Sequence, residues 1–150
     1  GVRTATPGSL TGETLKWGFI DKKGKVVIPL QFSNVKSFSE GLAVISDTKY
    51  QRRGNTVAID SSFGFIDKSG KIVIPVNYGM AKSFSEGLAL VQIKFGAKQF
   101  INKSGQMVIP LNKYQSISSF SEGLASVSTV IARRNTNPGA NRALQQLDNF

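Results

Sequence analysis

At 150 residues and 40% hydrophobic, with no cysteine and no histidine, the chain is long enough for one well-buried domain. Its composition excludes a disulfide framework, thiolate chemistry and a Ser–His–Asp triad. Nineteen basic against nine acidic residues give a formal charge of +10, a balance that repels like proteins and attracts acidic surfaces, nucleic acid or anionic lipid.

Residues 1–14 are polar and turn-rich and read as a linker or arm. From Leu15 to Val130 short runs of β-branched and aromatic residues alternate with turn signals, the pattern of an all-β domain. Three copies of one unit fill it, at about 16–46, 62–92 and 98–128. Each opens on a first strand, "WGFID", "FGFID" or "QFIN", followed by "KKG" or "KSG" as a hairpin end with glycine available for positive φ. A second strand, "KVVIP", "KIVIP" or "QMVIP", is expected to end at Pro29, Pro75 or Pro110, because proline cannot donate a ladder bond. A corner, "FSEG", then leads into the third strand, "GLAVIS", "GLALVQI" or "GLASVSTV". "KFGAK" can close a hairpin between the second and third units. Three strands cannot bury a face alone, so neighbouring units must pack on each other.

The order of an aromatic-Gly pair, a glycine hairpin, a "VIP" exit and an "FSEG" corner resembles the WG, or KWG, β-repeat, and the resemblance covers most of the chain. It implies a bacterial protein-interaction repeat with no catalytic residues to carry over. The third copy departs from the pattern, with Lys98 and Gln99 in place of Trp17 and Gly18 and with Asn102 in place of Asp21 and Asp67. Polar replacement of this kind is expected of a terminal, closing unit.

The corners Phe38–Glu40–Gly41, Phe84–Glu86–Gly87 and Phe120–Glu122–Gly123 concentrate three of the four glutamates. A glycosidase needs one carboxyl pair at a defined separation, whereas a turn is needed in every unit, so these residues read as structural. The phenylalanine is expected to anchor the turn, and the serine and glutamate to bond nearby backbone N–H groups as short-range caps. No metal site is expected without histidine, cysteine or an EF-hand loop, and no cofactor. Trp17 and Phe63 occupy one repeated position and read as core, with a stacking platform as the alternative.

Basic residues carry the functional expectation. Lys22, Lys23 and Lys25, then Lys68 and Lys71, then Lys103 fall at the same hairpin tip of successive units and are expected to form a stripe; lysines also keep strand edges from aggregating. Successive "FSEG" copies lie 46 and then 36 residues apart, so extra residues sit in the first spacing, at about 47–60. They read as a hairpin carrying Tyr50, Arg52 and Arg53, where a loop on a rigid scaffold adds specificity. After Val130, residues 131–150 form a basic tail with Arg133, Arg134 and Arg142. Its Ala140, Ala143, Leu144, Leu147 and Phe150 have helical spacing.

The expected fold is therefore three three-stranded antiparallel meanders stacked as a short solenoid-like domain, with a closed three-fold barrel or propeller-like arrangement as the alternative. The expected role is a non-enzymatic linker or adaptor whose basic loops and tail bind an acidic protein partner. The alternative is a module for glycan or polyanion, including cell-envelope polymer or nucleic acid. No apolar run approaches the ~18 residues of a membrane span, so a soluble or peripheral location without membrane insertion is expected.

Overall fold

A computed structural model describes residues 14–132; the tail residues singled out above, Arg133, Arg134, Arg142 and Ala140 to Phe150, lie outside them. Eleven strands run in order: β1 (Trp17–Ile20), β2 (Val26–Phe32), β3 (Asn34–Val35), β4 (Leu42–Arg53), β5 (Thr56–Asp67), β6 (Ile72–Ala81), β7 (Ala89–Ile93), β8 (Lys98–Ile101), β9 (Met107–Pro110), β10 (Ser116–Ile117) and β11 (Val127–Ser128). Seven of them form one antiparallel sheet in chain order, β3 to β9, flanked by the hairpin β1–β2 and the pair β10–β11. The described residues are thus all-β, an open repeat meander. None of the sheets closes into a barrel, which removes the closed alternative.

The units are joined by shared pairing. The third strand of unit one pairs with the first of unit two from Leu42↔Asp67 to Arg53↔Thr56, and that of unit two with the first of unit three from Ala89↔Ile101 to Gln92↔Lys98. The core lies at these junctions. Ile28, Phe32, Ala43 and Ile45 of unit one bury Ile66 of unit two, while Leu42, Val44, Phe65, Ile74, Phe84, Val91 and Ile101 bring all three units into one cluster. Each large side chain buried in this way contributes about 1.5–3 kcal/mol, so an isolated unit would forfeit much of its core.

The prolines do not behave as their chemistry alone predicts. Pro110 ends β9, but Pro29 and Pro75 lie inside β2 and β6. Between Phe19↔Ile28 and Trp17↔Phe32, and between Phe65↔Ile74 and Phe63↔Tyr78, the second strand bulges, with extra residues opposite the first. In a bulge the ladder does not ask for the missing N–H, and the strand bends there instead of stopping. The bend also accounts for the glycine of the aromatic-Gly pair. A Cβ on Gly18 would stand 2.4 Å from the Ile28 carbonyl oxygen, and one on Gly64 2.7 Å from that of Ile74. In unit three the register shift falls only between Phe100↔Ile109 and Ile101↔Met107, and at the equivalent position the strands run one to one, Gln99↔Pro110 next to Phe100↔Ile109, so a glutamine fits.

Candidate interaction surfaces

The corners are two-residue turns. Ser39 and Leu42 exchange both backbone hydrogen bonds, as do Ser85 and Leu88, and Ser121 and Leu124. Both central residues have positive φ: 54° and 84° at Glu40 and Gly41, 54° and 79° at Glu86 and Gly87, 51° and 80° at Glu122 and Gly123. That is the type I′ hairpin turn, and it puts a glutamate in the left-handed region that L-residues avoid at a cost of about 1–2 kcal/mol.

The glutamates are not the short-range caps expected from the sequence. The Glu40 carboxylate Oε1 accepts the Gly87 N–H of the next corner at 2.9 Å, and Glu86 Oε1 accepts that of Gly123 at 2.9 Å. Ser39 Oγ donates to the Phe84 carbonyl at 2.7 Å, and Ser85 Oγ to that of Phe120 at 2.5 Å. Lys36 Nζ donates to the Ala81 carbonyl at 2.8 Å, and Lys82 Nζ to that of Ile117 at 3.1 Å. Three side chains of each of the first two corners thus grip the backbone of the next, which short-range capping cannot do. The Gly87 N–H holds the Glu40 carboxyl below the usual glutamate range, helped by Lys103 Nζ at 3.5 Å. Burial, then the neighbouring Lys82 charge, lowers the Lys36 ammonium. The corner phenylalanines pack on first-strand phenylalanines, Phe19–Phe38 at 4.8 Å, Phe65–Phe84 at 4.9 Å and Phe100–Phe120 at 4.8 Å.

At the other turn of each unit an Asp or Asn side chain is also structural. Asp21 Oδ1 accepts the N–H groups of Lys23 and Lys25, Asp67 Oδ1 those of Ser69 and Lys71, and Asn102 Oδ1 those of Ser104 and Gln106. Asparagine supplies the same oxygen, so the position uses geometry and not charge. The Ser69 hydroxyl, ahead of the backbone donors, lowers the Asp67 carboxyl. Among the described residues no three Asp or Glu side chains gather as a metal site.

Lys22, Lys23, Lys25, Lys68, Lys71 and Lys103 are exposed on these tips. Gly70 of the second tip lies against Ile28 of unit one, and Gly105 of the third against Ile74 of unit two, so successive tips stack and their lysines follow one side of the array. Beside them Val26, Val27, Ile72, Val73, Met107 and Val108 are exposed on the second strands. Among the described residues Lys103 is the one of these lysines that pairs with a carboxylate, that of Glu40 at 3.5 Å.

Arg52 and Arg53 lie elsewhere. The extra residues extend the junction pair β4–β5 to twelve residues per strand, an antiparallel hairpin with Arg52 and Arg53 beside its turn. Its tip, Gly54–Asn55, has positive φ at the glycine alone, the type II′ pattern. At about 3.3 Å per residue the tip stands roughly 35 Å along the strand from the corner and the lysine tips. From Lys49 to Asp60 every residue of this arm is exposed. The cross-strand pairs Tyr50↔Ile59 and Arg52↔Val57 share one face.

Grooves flank the arm on both sides. One, about 530 Å³, is lined by Leu15, Trp17, Ser33, Asn34, Thr48 and Tyr50 among others. Trp17 is therefore half-buried at a groove wall, away from the core clusters, whereas Phe63 packs against the central cluster as the core reading required. The other groove is lined by Ile59, Ser61, Gly79, Gln92, Ile93 and Phe95 among others, with Lys94 bridging to Asp60 at 2.6 Å. Phe95 is fully exposed and has a φ of 55°. Sequence reading passed over it, although an aromatic residue at a hairpin tip is a legible signal.

Units tied corner to corner, with the loops left to the solvent, define a tandem β-repeat module. The chain belongs to the WG containing repeat family, whose model matches residues 17–47, 63–94 and 100–129. Neither a curated protein nor a solved structure matches it.

Proposed function

We propose that the chain is a non-enzymatic interaction module that holds an acidic protein partner at its β4–β5 arm. The observation that carries this reading is the arm itself. Ten residues beyond the regular period bury no core and present Tyr50, Arg52, Val57 and Ile59 on one face, with Ile93 and Phe95 across the adjoining groove. An exposed apolar cluster rimmed by charge, rich in tyrosine and arginine, has the anatomy of a protein-binding site. The lysine tips and the net charge of +10 draw an acidic partner in over a longer range. Two of the three corner carboxylates, Glu40 and Glu86, are occupied with backbone N–H groups, as are Asp21 and Asp67 at the lysine tips, which leaves little for acid–base chemistry.

Affinity capture with the wild-type chain and an Arg52→Glu/Arg53→Glu variant tests this reading. A protein captured by the wild type, lost by the variant and released by salt supports it. Equal capture by both, or binding indifferent to ionic strength, overturns it.

The groove between Trp17 and Tyr50 favours a second reading. Two aromatic rings with Ser33, Asn34 and Thr48 between them are the surface a sugar ring stacks on. Retention on insoluble cell-wall polysaccharide that Trp17→Ala abolishes would select it over the first.

A further inference from the structure

The two ends of the repeat array are halves of the junction that occurs twice inside it. In the second and third units the first strand lies between its own second strand and the third strand of the preceding unit. β1 has only β2 beside it, and the segment Leu124–Ser128 has only β10. Both outer edges lack a strand among the described residues. Burial follows suit. Ile20 is 48% exposed where its equivalents Ile66 and Ile101 are 0%, and Val127 is 45% exposed where Ile45 is 2% and Val91 0%. Leu124 is 77% exposed, against 9% for Leu42.

The corner ladder is open in the same sense. Ser121 and Glu122 repeat the residues that grip the next corner, yet no hydrogen bond from either side chain is made among the described residues. Glu122 nonetheless holds the left-handed φ of 51°. At the opposite end the Gly41 N–H and the Phe38 carbonyl are the groups a preceding corner would engage. Ser118 stands where Lys36 and Lys82 make the third bond, so two of the three side-chain links are retained.

We propose that the chain associates head to tail with a second copy of itself, the tail of one seated on the head of the next through the junction it already uses internally. The internal register transfers directly: Ala125 opposite Ile20, Ser126 opposite Phe19, Val127 opposite Gly18 and Ser128 opposite Trp17 of the second copy. Glu122 then accepts the Gly41 N–H, and Ser121 donates to the Phe38 carbonyl. The contact is heterologous, so it grows as a chain unless its rotation closes a ring. Copies carrying +10 each repel at low ionic strength, and salt promotes their association. Salt weakens the binding of an acidic partner, so the two readings stand or fall separately.

Sedimentation velocity over a range of protein concentration tests the proposal. The wild type is expected to gain mass with concentration, more so at high salt. Ile20→Lys, which blocks the head, and Val127→Lys, which blocks the tail, are each expected to stay monomeric, and their mixture to stop at a dimer. Both positions are exposed in the single chain, so folding should survive, and far-ultraviolet circular dichroism checks it. The chain has no cysteine, which permits a second measurement: an Ile20→Cys chain mixed with an Ala125→Cys chain should form mixed disulfide dimers in preference to either alone. A wild type that is monomeric throughout at high salt overturns the proposal. Association that the two lysine variants leave intact, or cysteine chains that link without preference, also overturns it.

Discussion

Glu40 Oε1 lies 2.9 Å from the backbone nitrogen of Gly87, a residue 47 positions further along the chain, while Glu40 itself sits at a φ of 54°. The strain of the left-handed conformation and the gain from the junction bond therefore meet in one residue. Asparagine tolerates that conformation better but is too short to span the junction. At Glu122, where the bond is absent among the described residues, Glu122→Asn should stabilise the monomer by about 0.5 kcal/mol. At Glu40 the same relief is outweighed by loss of a bond worth about 1 kcal/mol, so Glu40→Asn should destabilise by about 0.5 kcal/mol. Urea unfolding of dilute protein measures the difference; equal shifts would mean that the ladder adds nothing.

The same bond makes the junction acid-sensitive. The folded Glu40 carboxyl titrates below the ordinary value of 4.5 because it accepts the Gly87 N–H, so between those two values the unfolded chain binds the extra proton. Its contribution is fully present above about pH 4.5 and is lost as the pH falls through the lower, folded value. Asp67, lowered chiefly by the Ser69 hydroxyl, acts in the same direction from its ordinary 3.8 downward. Thermal melts from neutral pH into the acid range should show a smaller loss in Glu40→Gln than in the wild type. Parallel curves would separate the acid response from this carboxylate.

Gly64→Ala should be among the most damaging single-methyl additions in the chain. Its Cβ would meet the Ile74 carbonyl oxygen at 2.7 Å and the Val76 Cα at 2.8 Å, contacts that only a backbone shift relieves, at a cost of roughly 3 kcal/mol. Gln99→Ala, at the equivalent position of unit three, should cost well under 1 kcal/mol. Comparable losses at the two sites would refute the link between glycine and the proline bulge.

Those contrasts mark what was legible in the sequence. The period, the hairpin tips and the all-β class could be read because glycine, asparagine and aspartate at tips, and β-branched runs between them, report local backbone geometry. The partners of Glu40, Ser39 and Lys36 could not, since each lies in the next unit and short-range capping satisfies the same residue types. Pro29 and Pro75 misled for a related reason: a proline marks where the ladder is interrupted, and only pairing shows whether the strand stops or bulges. The spacing and the turn signal at "QRRGN" located an extended hairpin with Arg52 and Arg53 at its tip, but not that this hairpin continues the junction pair and so ends away from the lysines. Phe95 was missed because turn chemistry at "KFGAK" drew attention to glycine rather than to the ring beside it.

The arm offers the last prediction. Deleting Lys49–Arg52 together with Val57–Asp60 removes four matched pairs and preserves which face each remaining residue takes, leaving Thr48 and Ser61 next to the Arg53–Gly54–Asn55–Thr56 turn. All the deleted residues are exposed, and among the described residues the one salt bridge lost is the surface pair between Lys94 and Asp60, worth about 0–1 kcal/mol. The shortened chain should unfold within about 1 kcal/mol of the wild type and lose the captured partner. If it melts far earlier, the arm supports the fold; if it keeps full binding, the lysine tips or the tail hold the partner, and the arm does not.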